Sequence, residues 1–206
     1  MSQRRGAIAG MVGPVVFGGV VAFLTALQYD FMVEIAWIWP SGLALGTMGW
    51  LQVLNFVFFG LALMVLAVGL HRGVAPGGRG AWVGPALLAA AGAAAVLLGF
   101  KVDANSSGAH ESWHGLIHGL AFVLFALSLL PAFFFLWRRM RRDPRWGGHA
   151  GYALVTGVGA VVLFFVPWTP ALFLFLVFTL AWIEVTAPRL RALAGGPATG
   201  RVPSAK

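Results

Sequence analysis

Three histidines lie four residues apart in the stretch HESWHGLIHG, residues 110–119. Residues at positions i and i+4 share one face of an α-helix, so the rings of His114 and His118 are expected to be able to bind one metal ion. His110 lies two turns before His118, about 12 Å along a helix axis, and reaches the same ion only from a loop before the helix. The spacing predicts a metal site, with interhelical hydrogen bonding as the structural alternative.

Acidic and hydroxyl side chains elsewhere extend this set of candidates. Asp103 is a possible third ligand, because zinc and iron accept a set of His and Asp ligands with open positions for water. Asp30 or Glu34 could serve as a general base, and Ser41 is a candidate catalytic hydroxyl. Glu111, among the histidines, is expected to line the same pocket.

Two amide side chains, Gln52 and Asn55, are three residues apart and so share a helix face. Buried amides in a membrane usually join helices by hydrogen bonds, although here they could also line the pocket and position a substrate. A haem held by His71 and His149 is the less favoured cofactor, since both histidines stand in basic segments where a solvated ring is ordinary.

The composition indicates that these residues belong to a membrane protein. Of 206 residues, 60% are hydrophobic and only 10% are charged, and the mean hydropathy is +0.87. Several apolar runs reach the length of about 20 residues that crosses a bilayer as a helix. The net charge of +8 would suggest nucleic acid in a soluble protein, but membrane topology explains it better and we expect no nucleic-acid partner.

The chain is predicted to be all-α, a single bundle of six transmembrane helices. Only helices or closed barrels satisfy backbone hydrogen bonds in lipid, and these runs are too long for barrel strands. We expect one domain over residues 1–190 and a disordered cytoplasmic tail over 191–206. The predicted helices cover about 7–28, 44–70, 82–100, 112–137, 149–166 and 169–187.

The positions of Lys and Arg predict the orientation. All of them except Lys101 flank the helix ends on one side of the predicted bundle, which the positive-inside rule assigns to the cytoplasm. Both termini are then cytoplasmic, in the inner membrane of a bacterium. The histidines lie at the opposite, outer side, where the apolar segment 29–42, with Trp37 and Trp39, is expected to cover the bundle.

The segment SGLALGTMGWLQVLNFVFFGLALMVLAVGLHR, residues 41–72, resembles the signature of the domain-of-unknown-function 998 family. The pattern continues in GPVVF at 13–17, in Asp103 and in HGLIH at 114–118, and it extends to about residue 187. The resemblance implies a six-helix membrane protein, mostly bacterial, without a known activity. Residues of the same type as in the family pattern are Ser41, Gln52, Asn55, Asp103, His114 and His118.

The chain departs from the family pattern at two positions. Gly42 stands where the family usually has an acidic residue, and Ala104 follows Asp103 where the family tends to have proline. If the acid at position 42 is a ligand or a base in the family, its chemistry is missing here.

The function predicted from these residues is metal-dependent hydrolysis of a lipid or lipid-like substrate, with zinc or iron in an outer-leaflet pocket. The chain is also loosely similar to the seven-helix membrane hydrolases that include alkaline ceramidases, which combine Ser, Asp and an HxxxH pair around zinc. This similarity supports the same function only by analogy. The alternative is a non-enzymatic scaffold or accessory subunit of a larger membrane complex. Membrane lipids, and other membrane-protein subunits in the second case, are the expected partners.

Overall fold

The computed structural model describes residues 2–34, 39–76, 78–103, 112–166 and 169–195, without the side chains of Glu34 and Thr169. All regular structure in these ranges is helical. Two short 3-10 turns, Pro40–Leu45 and Pro144–Trp146, connect longer elements. The α-helices are α1 Gln3–Leu27, α2 Tyr29–Glu34, α3 Gly49–Gly73, α4 Val83–Leu97, α5 Trp113–Met140, α6 Gly147–Phe165 and α7 Thr169–Gly195.

Five of these helices, α1, α3, α5, α6 and α7, are long and apolar enough to cross a membrane. Helix α4 is equally apolar but has only 15 residues. At 1.5 Å per residue it covers about 22 Å of a hydrocarbon core that is about 30 Å thick. The all-helical prediction is therefore confirmed, and the fold is that of a polytopic membrane protein with five or six crossings.

Three boundaries differ from the predicted ones by more than a turn. Helix α1 begins at Gln3 instead of about residue 7. Helix α3 begins at Gly49 instead of about residue 44, because residues 40–45 form the 3-10 turn that starts at Pro40. Helix α7 continues to Gly195, through Pro188 and into the segment for which disorder was predicted. The rest of that segment, 196–206, lies outside the described residues.

The six longer helices form a closed antiparallel ring in chain order, with α7 packed against α1. The side-chain amide Nε2 of Gln3 donates to the carbonyl of Leu190 at 2.9 Å, so the start of α1 and the end of α7 lie at the same end of the ring. We call this the arginine end, since Arg139 and Arg145 lie there. The opposite end, where α5 begins, is the histidine end.

Glycine allows the closest helix crossings in the ring. A Cβ added at Gly6 of α1 would lie 2.5 Å from the Cα of Gly69 in α3. A Cβ at Gly60 of α3 would overlap the carbonyl oxygen of Gly92 in α4. Close backbone approach of this kind favours helix association in lipid, where burial of apolar surface provides no driving force.

Large side chains fill the arginine half of the ring. The rings of Phe133 in α5 and Trp182 in α7 meet edge to face, with centroids 5.1 Å apart, and both are fully buried. Leu66, Leu129 and Leu136 are also fully buried in the same core. This packing closes the centre of the ring below the histidine half, which is hollow.

Candidate functional site at the histidine end

A cavity of about 410 Å³ occupies the centre of the ring in its histidine half. Five helices and the first 3-10 turn contribute to its walls, and most of the side chains are aromatic or aliphatic. Helix α6 is not part of the wall. Its Phe164 packs between Phe122 and Phe175, and these two residues do line the cavity. The wall includes Phe17, Trp39, Ser41, Phe56, Phe59, Ala95, Leu98, His118, Phe122, Phe125, Leu172, Phe175 and Leu176.

The cavity reaches to about half the thickness of a membrane, measured from the start of α5. Phe125, its deepest residue on α5, comes twelve residues after the start of the helix at Trp113. At 1.5 Å per residue this is a depth of about 18 Å, a little over half of a hydrocarbon core about 30 Å thick. The volume lies in the range of about 300–1,000 Å³ that small-molecule pockets have.

His118 places an imidazole in the wall of this cavity. Its side chain is almost fully buried, and its ring meets that of Phe56 edge to face. Nδ1 lies 2.7 Å from the carbonyl oxygen of Phe100, at the end of α4. A carbonyl only accepts hydrogen bonds, so Nδ1 carries the proton and Nε2 carries the lone pair of the neutral ring.

A network of three side chains connects His114 to Asp103. The hydroxyl of Ser112 donates to Oδ1 of Asp103, and the Ser112 backbone N–H donates to Oδ2 at 3.2 Å. The same hydroxyl oxygen caps α5 by accepting from the N–H of Gly115 at 3.0 Å. Nδ1 of His114 lies 2.8 Å from the Ser112 oxygen and 3.1 Å from the carbonyl of Lys101.

These contacts also determine the tautomer of His114. The single hydroxyl proton of Ser112 is donated to Asp103, and the carbonyl of Lys101 can only accept. Nδ1 of His114 is therefore the donor, as in His118, and the lone pair is on Nε2. Metal-binding histidines commonly have this arrangement, in which one ring nitrogen donates to a carbonyl or hydroxyl and the other can bind the ion.

Gly115 is what lets Asp103 approach the start of α5. A Cβ at this position would overlap the carboxylate of Asp103. Asp103 and His114 are 3.9 Å apart, between Oδ1 and Nδ1. The structure thus brings Asp103 beside the predicted histidines, with its carboxylate already bonded to Ser112.

Gln52 and Asn55 lie between α1 and α3 and are absent from the cavity wall. The side-chain N–H groups of Asn55 donate to the carbonyl of Phe17 at 3.1 Å and to Oε1 of Gln52 at 3.2 Å. Both amides are buried. Asn55 Oδ1 and Gln52 Nε2 find no partner among the residues that the structure describes. Their placement favours the role in joining helices.

The other predicted residues are more scattered. Ser41 lines the cavity, on the 3-10 turn that follows Trp39. Asp30 is exposed on α2 and is not in the wall, and Glu34 ends that helix with an undescribed side chain. His110 and Glu111 fall in 104–111, outside the described residues. Trp37 falls in 35–38, which is also outside them. Within the described ranges, no three His, Asp or Glu side chains form a group that could hold a metal ion.

Two residues at this end, Ser112 and Gln28, were not predicted from the sequence, and Trp39 was expected only as part of the segment that covers the bundle. Ser112 has a detectable signal, because a serine just before an apolar helix is a typical N-cap. Trp39 stacks on Phe173 of α7, with centroids 5.7 Å apart, which no local pattern indicates. Gln28, at the end of α1, is buried against Gly46, and neither of its amide atoms has a hydrogen-bond partner in the described part of the chain.

At the arginine end, the side chain of Arg139 is buried and makes several hydrogen bonds. It is only 4% exposed, and its guanidinium donates to four backbone carbonyls in and after the last turn of α3. The sequence alone would predict that Arg139 is a solvated charge, like the other arginines of this basic segment. Its acceptors are the carbonyls of Ala75 at 3.2 Å, Ala81 at 3.1 Å, His71 at 2.6 Å and Val74.

Asp143, between α5 and α6, holds the same α3–α4 connection from the other side. Its carboxylate accepts from the backbone N–H of Ala75 at 2.8 Å and from Nε and Nη2 of Arg145 at 2.9 and 2.7 Å. The hydrogen bonds from Arg145 lower the pKa of Asp143 to about 2, against the opposing effect of burial. His149, considered above for haem, places Nε2 2.9 Å from the hydroxyl of Thr186 on α7.

Comparison with known proteins supports the resemblance noted from the motifs. The model of the family described as "Protein of unknown function (DUF998)" matches residues 7–189, nearly the whole described bundle. No curated protein and no solved structure matches the chain. The match covers the helices and both ends of the ring, and the chain therefore belongs to the DUF998 family of integral membrane proteins.

Proposed function

We propose that the protein binds the acyl or isoprenoid chain of a membrane lipid in its central cavity. The observation that carries this proposal is the cavity itself, which is lined by aromatic and aliphatic side chains through about half of the bundle. No charged side chain is present among the described residues of the wall, apart from His118 if it is protonated. Such a wall offers favourable contacts to a hydrocarbon chain and few hydrogen bonds to a polar solute.

A chain in the cavity leaves its headgroup at the histidine end, next to His118 and Ser41. We propose that the reaction there is hydrolysis of a headgroup bond, with His114 and His118 as metal ligands. Zinc or iron held by their Nε2 atoms would supply a Lewis acid and an activated water. The residues of this chain prepare the ligands, because Phe100 and Ser112 fix the two rings in the tautomer that carries the lone pair on Nε2.

Other residues have subordinate roles in this proposal. Asp103 positions Ser112, and through it His114, by its two hydrogen bonds. His110 is a further candidate ligand, and Asp30 and Glu34 are candidate bases. Ser41 and Glu111 are candidates for contact with the headgroup.

The proposed orientation has both termini in the cytoplasm of a bacterium and the cavity open towards the outer leaflet. The support is the distribution of charge, since Arg72, Arg139 and Arg145 lie at the end where α1 begins and α7 ends. The positive-inside rule assigns that end to the cytoplasm.

The proposal can be tested by the lipid and metal that the protein retains. The full chain is purified in mild detergent, without a His tag or chelators, and bound lipid is identified by mass spectrometry. Leu176→Trp is expected to displace the lipid, because Leu176 lines the cavity and indole is much larger. Leu174→Trp is the matched control, since Leu174 is on the same helix and 43% exposed towards the surroundings.

Elemental mass spectrometry of the same samples tests the metal. We expect about one zinc or iron per chain, lost in the His114→Ala/His118→Ala variant while lipid retention persists. Equal lipid retention in Leu176→Trp and Leu174→Trp would remove the lipid-binding proposal. A metal content unchanged by loss of both histidines would remove the metal assignment and leave lipid binding without hydrolysis.

The scaffold or accessory-subunit alternative predicts a different result. Exposed apolar side chains such as Leu127, Val155 and Phe165 suit contact with lipid and contact with another subunit equally. Native mass spectrometry of the complex extracted under mild conditions distinguishes them. A stoichiometric partner protein, with neither lipid nor metal bound to the cavity, would favour the alternative.

A further inference from the structure

A second, much smaller cavity lies at the arginine end, between the α3–α4 connection and the last turns of α5. Its volume is about 40 Å³, far below the roughly 300 Å³ of a pocket that takes a whole small molecule. Only one chemical group of a ligand can enter it. The wall consists of Arg79, Gly80, Ala81, Phe135, Arg138, Arg139 and Arg142.

Arg139 forms the rigid part of this wall. Its guanidinium donates to the carbonyl of His71 in α3 and to three carbonyls after α3. One of these three belongs to Ala81, which also lines the cavity. These bonds hold the connection against α5. Arg79, on that connection, lines the same cavity as Arg138 and Arg142 of the other segment.

The remaining arginines give the cavity its charge. Arg79, Arg138 and Arg142 are exposed, and each contributes to the wall. No carboxylate is part of the wall as the structure describes it. Asp143, the acidic residue of the neighbouring loop, binds Arg145 and the backbone of Ala75 instead. Guanidinium groups that surround one small space bind phosphate oxygens well, because they are planar multiple donors.

Phe135 indicates where the ligand comes from. It belongs to the membrane-spanning part of α5, is 37% exposed, and lines the same cavity as the arginines. A ligand at this position meets guanidinium groups on one side and an exposed aromatic ring on the other. A phospholipid at the membrane boundary has this combination, and basic pockets between transmembrane helices are known to bind anionic headgroups.

We propose that this cavity, defined by Arg79, Arg138 and Arg142 and called here the arginine pocket, binds a phosphate group. The phosphodiester of an anionic phospholipid is the source that Phe135 favours, and free phosphate is the other source of the same chemistry. The arginine pocket is more than the general basic character of this end, because arginines from two separate segments line one space while other arginines at the same end do not line it.

The test compares two triple variants that remove equal charge. Arg79→Gln/Arg138→Gln/Arg142→Gln removes the pocket arginines. The matched control is Arg4→Gln/Arg72→Gln/Arg141→Gln, which changes three exposed arginines of the same end outside the arginine pocket. Binding of phosphatidylglycerol and phosphatidylcholine to the full chain is measured by native mass spectrometry. Inorganic phosphate is tested in detergent by its effect on the apparent melting temperature.

We expect the pocket variant to lose affinity for phosphatidylglycerol by at least about tenfold, since each basic residue near an anionic headgroup contributes about 1 kcal/mol. The control should change by less than about twofold, and phosphatidylcholine should bind alike in all three proteins. A third result would support the site with free phosphate as its source. In that case phosphate stabilises the unmodified chain but not the pocket variant, and the chain shows no preference between the two lipids. Equal losses in both triple variants, or no loss in either, would overturn the proposal.

Folding of the triple variant is checked separately. If its apparent melting temperature falls well below that of the control, the comparison is repeated with Arg79→Gln against Arg72→Gln. Arg79 lies on the connection and Arg72 at the end of α3, and both are exposed. A headgroup preference that Arg79→Gln leaves unchanged would then contradict the proposal.

Discussion

At the arginine end, Arg139 and Asp143 bond to backbone groups of a connection more than sixty residues earlier in the chain, while Phe133 and Trp182 close the space between α5 and α7. The histidine end has the opposite character. There a cavity of about 410 Å³ remains between the helices, and His118 is part of its wall. Nearby buried amides such as Gln28 have polar atoms without partners in the described residues.

The difference separates polar groups that build the fold from polar groups that could serve a ligand. Arg139 has carbonyl partners fixed by the end of α3, so its buried charge is stabilised inside the protein. His118 is also anchored, by the hydrogen bond from Nδ1 to the carbonyl of Phe100, and its ring borders an open volume. The number of charges alone would favour a ligand site among the arginines, whereas the open volume between the helices favours a site at the histidines.

The largest expected effect is at Arg139. Arg139→Gln removes most of the donors that hold four carbonyls, and leaves some of those carbonyls without a hydrogen bond. We expect destabilisation of several kcal/mol, because each buried carbonyl left without a donor costs about 1–3 kcal/mol, and a strong loss of folded protein in membranes. Size-exclusion profiles and the apparent melting temperature check this. Arg138→Gln, a neighbouring exposed position, should be close to neutral, and equal stability of the two variants would contradict the assignment.

Asp143→Asn should have the next largest effect, with a defined pH dependence. The pKa of this carboxyl is about 2 in the folded protein and about 3.9 in unfolded chains, so the charged form contributes about 2 kcal/mol. Because the folded pKa is lowered, the contribution is present above about pH 4 and is lost as the pH falls towards 2. Melting curves of the two proteins should differ at neutral pH and converge in acid. A difference independent of pH would exclude the ionised carboxyl as its cause.

Gly115→Ala tests how the histidine end is assembled. The added methyl group would overlap the carboxylate of Asp103, so Asp103 must move and its bonds to Ser112 must weaken. We expect a loss of about 1–2 kcal/mol and weaker metal retention at His114. Gly151→Ala in α6, where a Cβ meets nothing within 4 Å, is the control and should be neutral or slightly stabilising. If both glycine variants behave alike, Asp103 does not organise this end.

The smallest effect is expected between Gln52 and Asn55. A double-mutant cycle with alanine should give a coupling energy of about 0.6 kcal/mol, typical of hydrogen bonds between polar side chains in membrane proteins. Lipid and metal retention should be unaffected in all three variants, because neither amide lines the cavity. Loss of lipid in either single variant would instead assign these amides to the site.

Much of the fold follows from local features of the sequence. Long apolar runs predict the helices, because backbone polar groups in lipid must bond within their own segment. Two helices depart from this prediction. Helix α3 begins late because Pro40 starts a 3-10 turn before it, and α4 is shorter than a full membrane span. The spacing of His114 and His118 predicts that they share one helical face, and the family match includes this region.

The remaining features depend on contacts between segments distant in the chain. The cavity arises from aromatic residues on several helices, among them Phe17, Phe56 and Phe125, whose convergence no single helix indicates. Arg139 stands in the same run of arginines as its solvated neighbours, and only the end of α3 and the path of the α3–α4 connection give it four acceptors. Asp103 was predicted from its chemistry as a ligand, while its bonds to Ser112 depend on the space left by Gly115.

The most direct test of the central claim is to locate a lipid chain bound to the intact protein. A lipid with a photoreactive diazirine near the end of its acyl chain is added to the full chain in nanodiscs, irradiated, and mapped by peptide mass spectrometry. We expect labelling of cavity residues such as Phe56, Phe125 and Phe175, which is suppressed in Leu176→Trp and kept in Leu174→Trp. Labelling restricted to outward-facing residues such as Leu127 and Val155, equal in both variants, would contradict this claim.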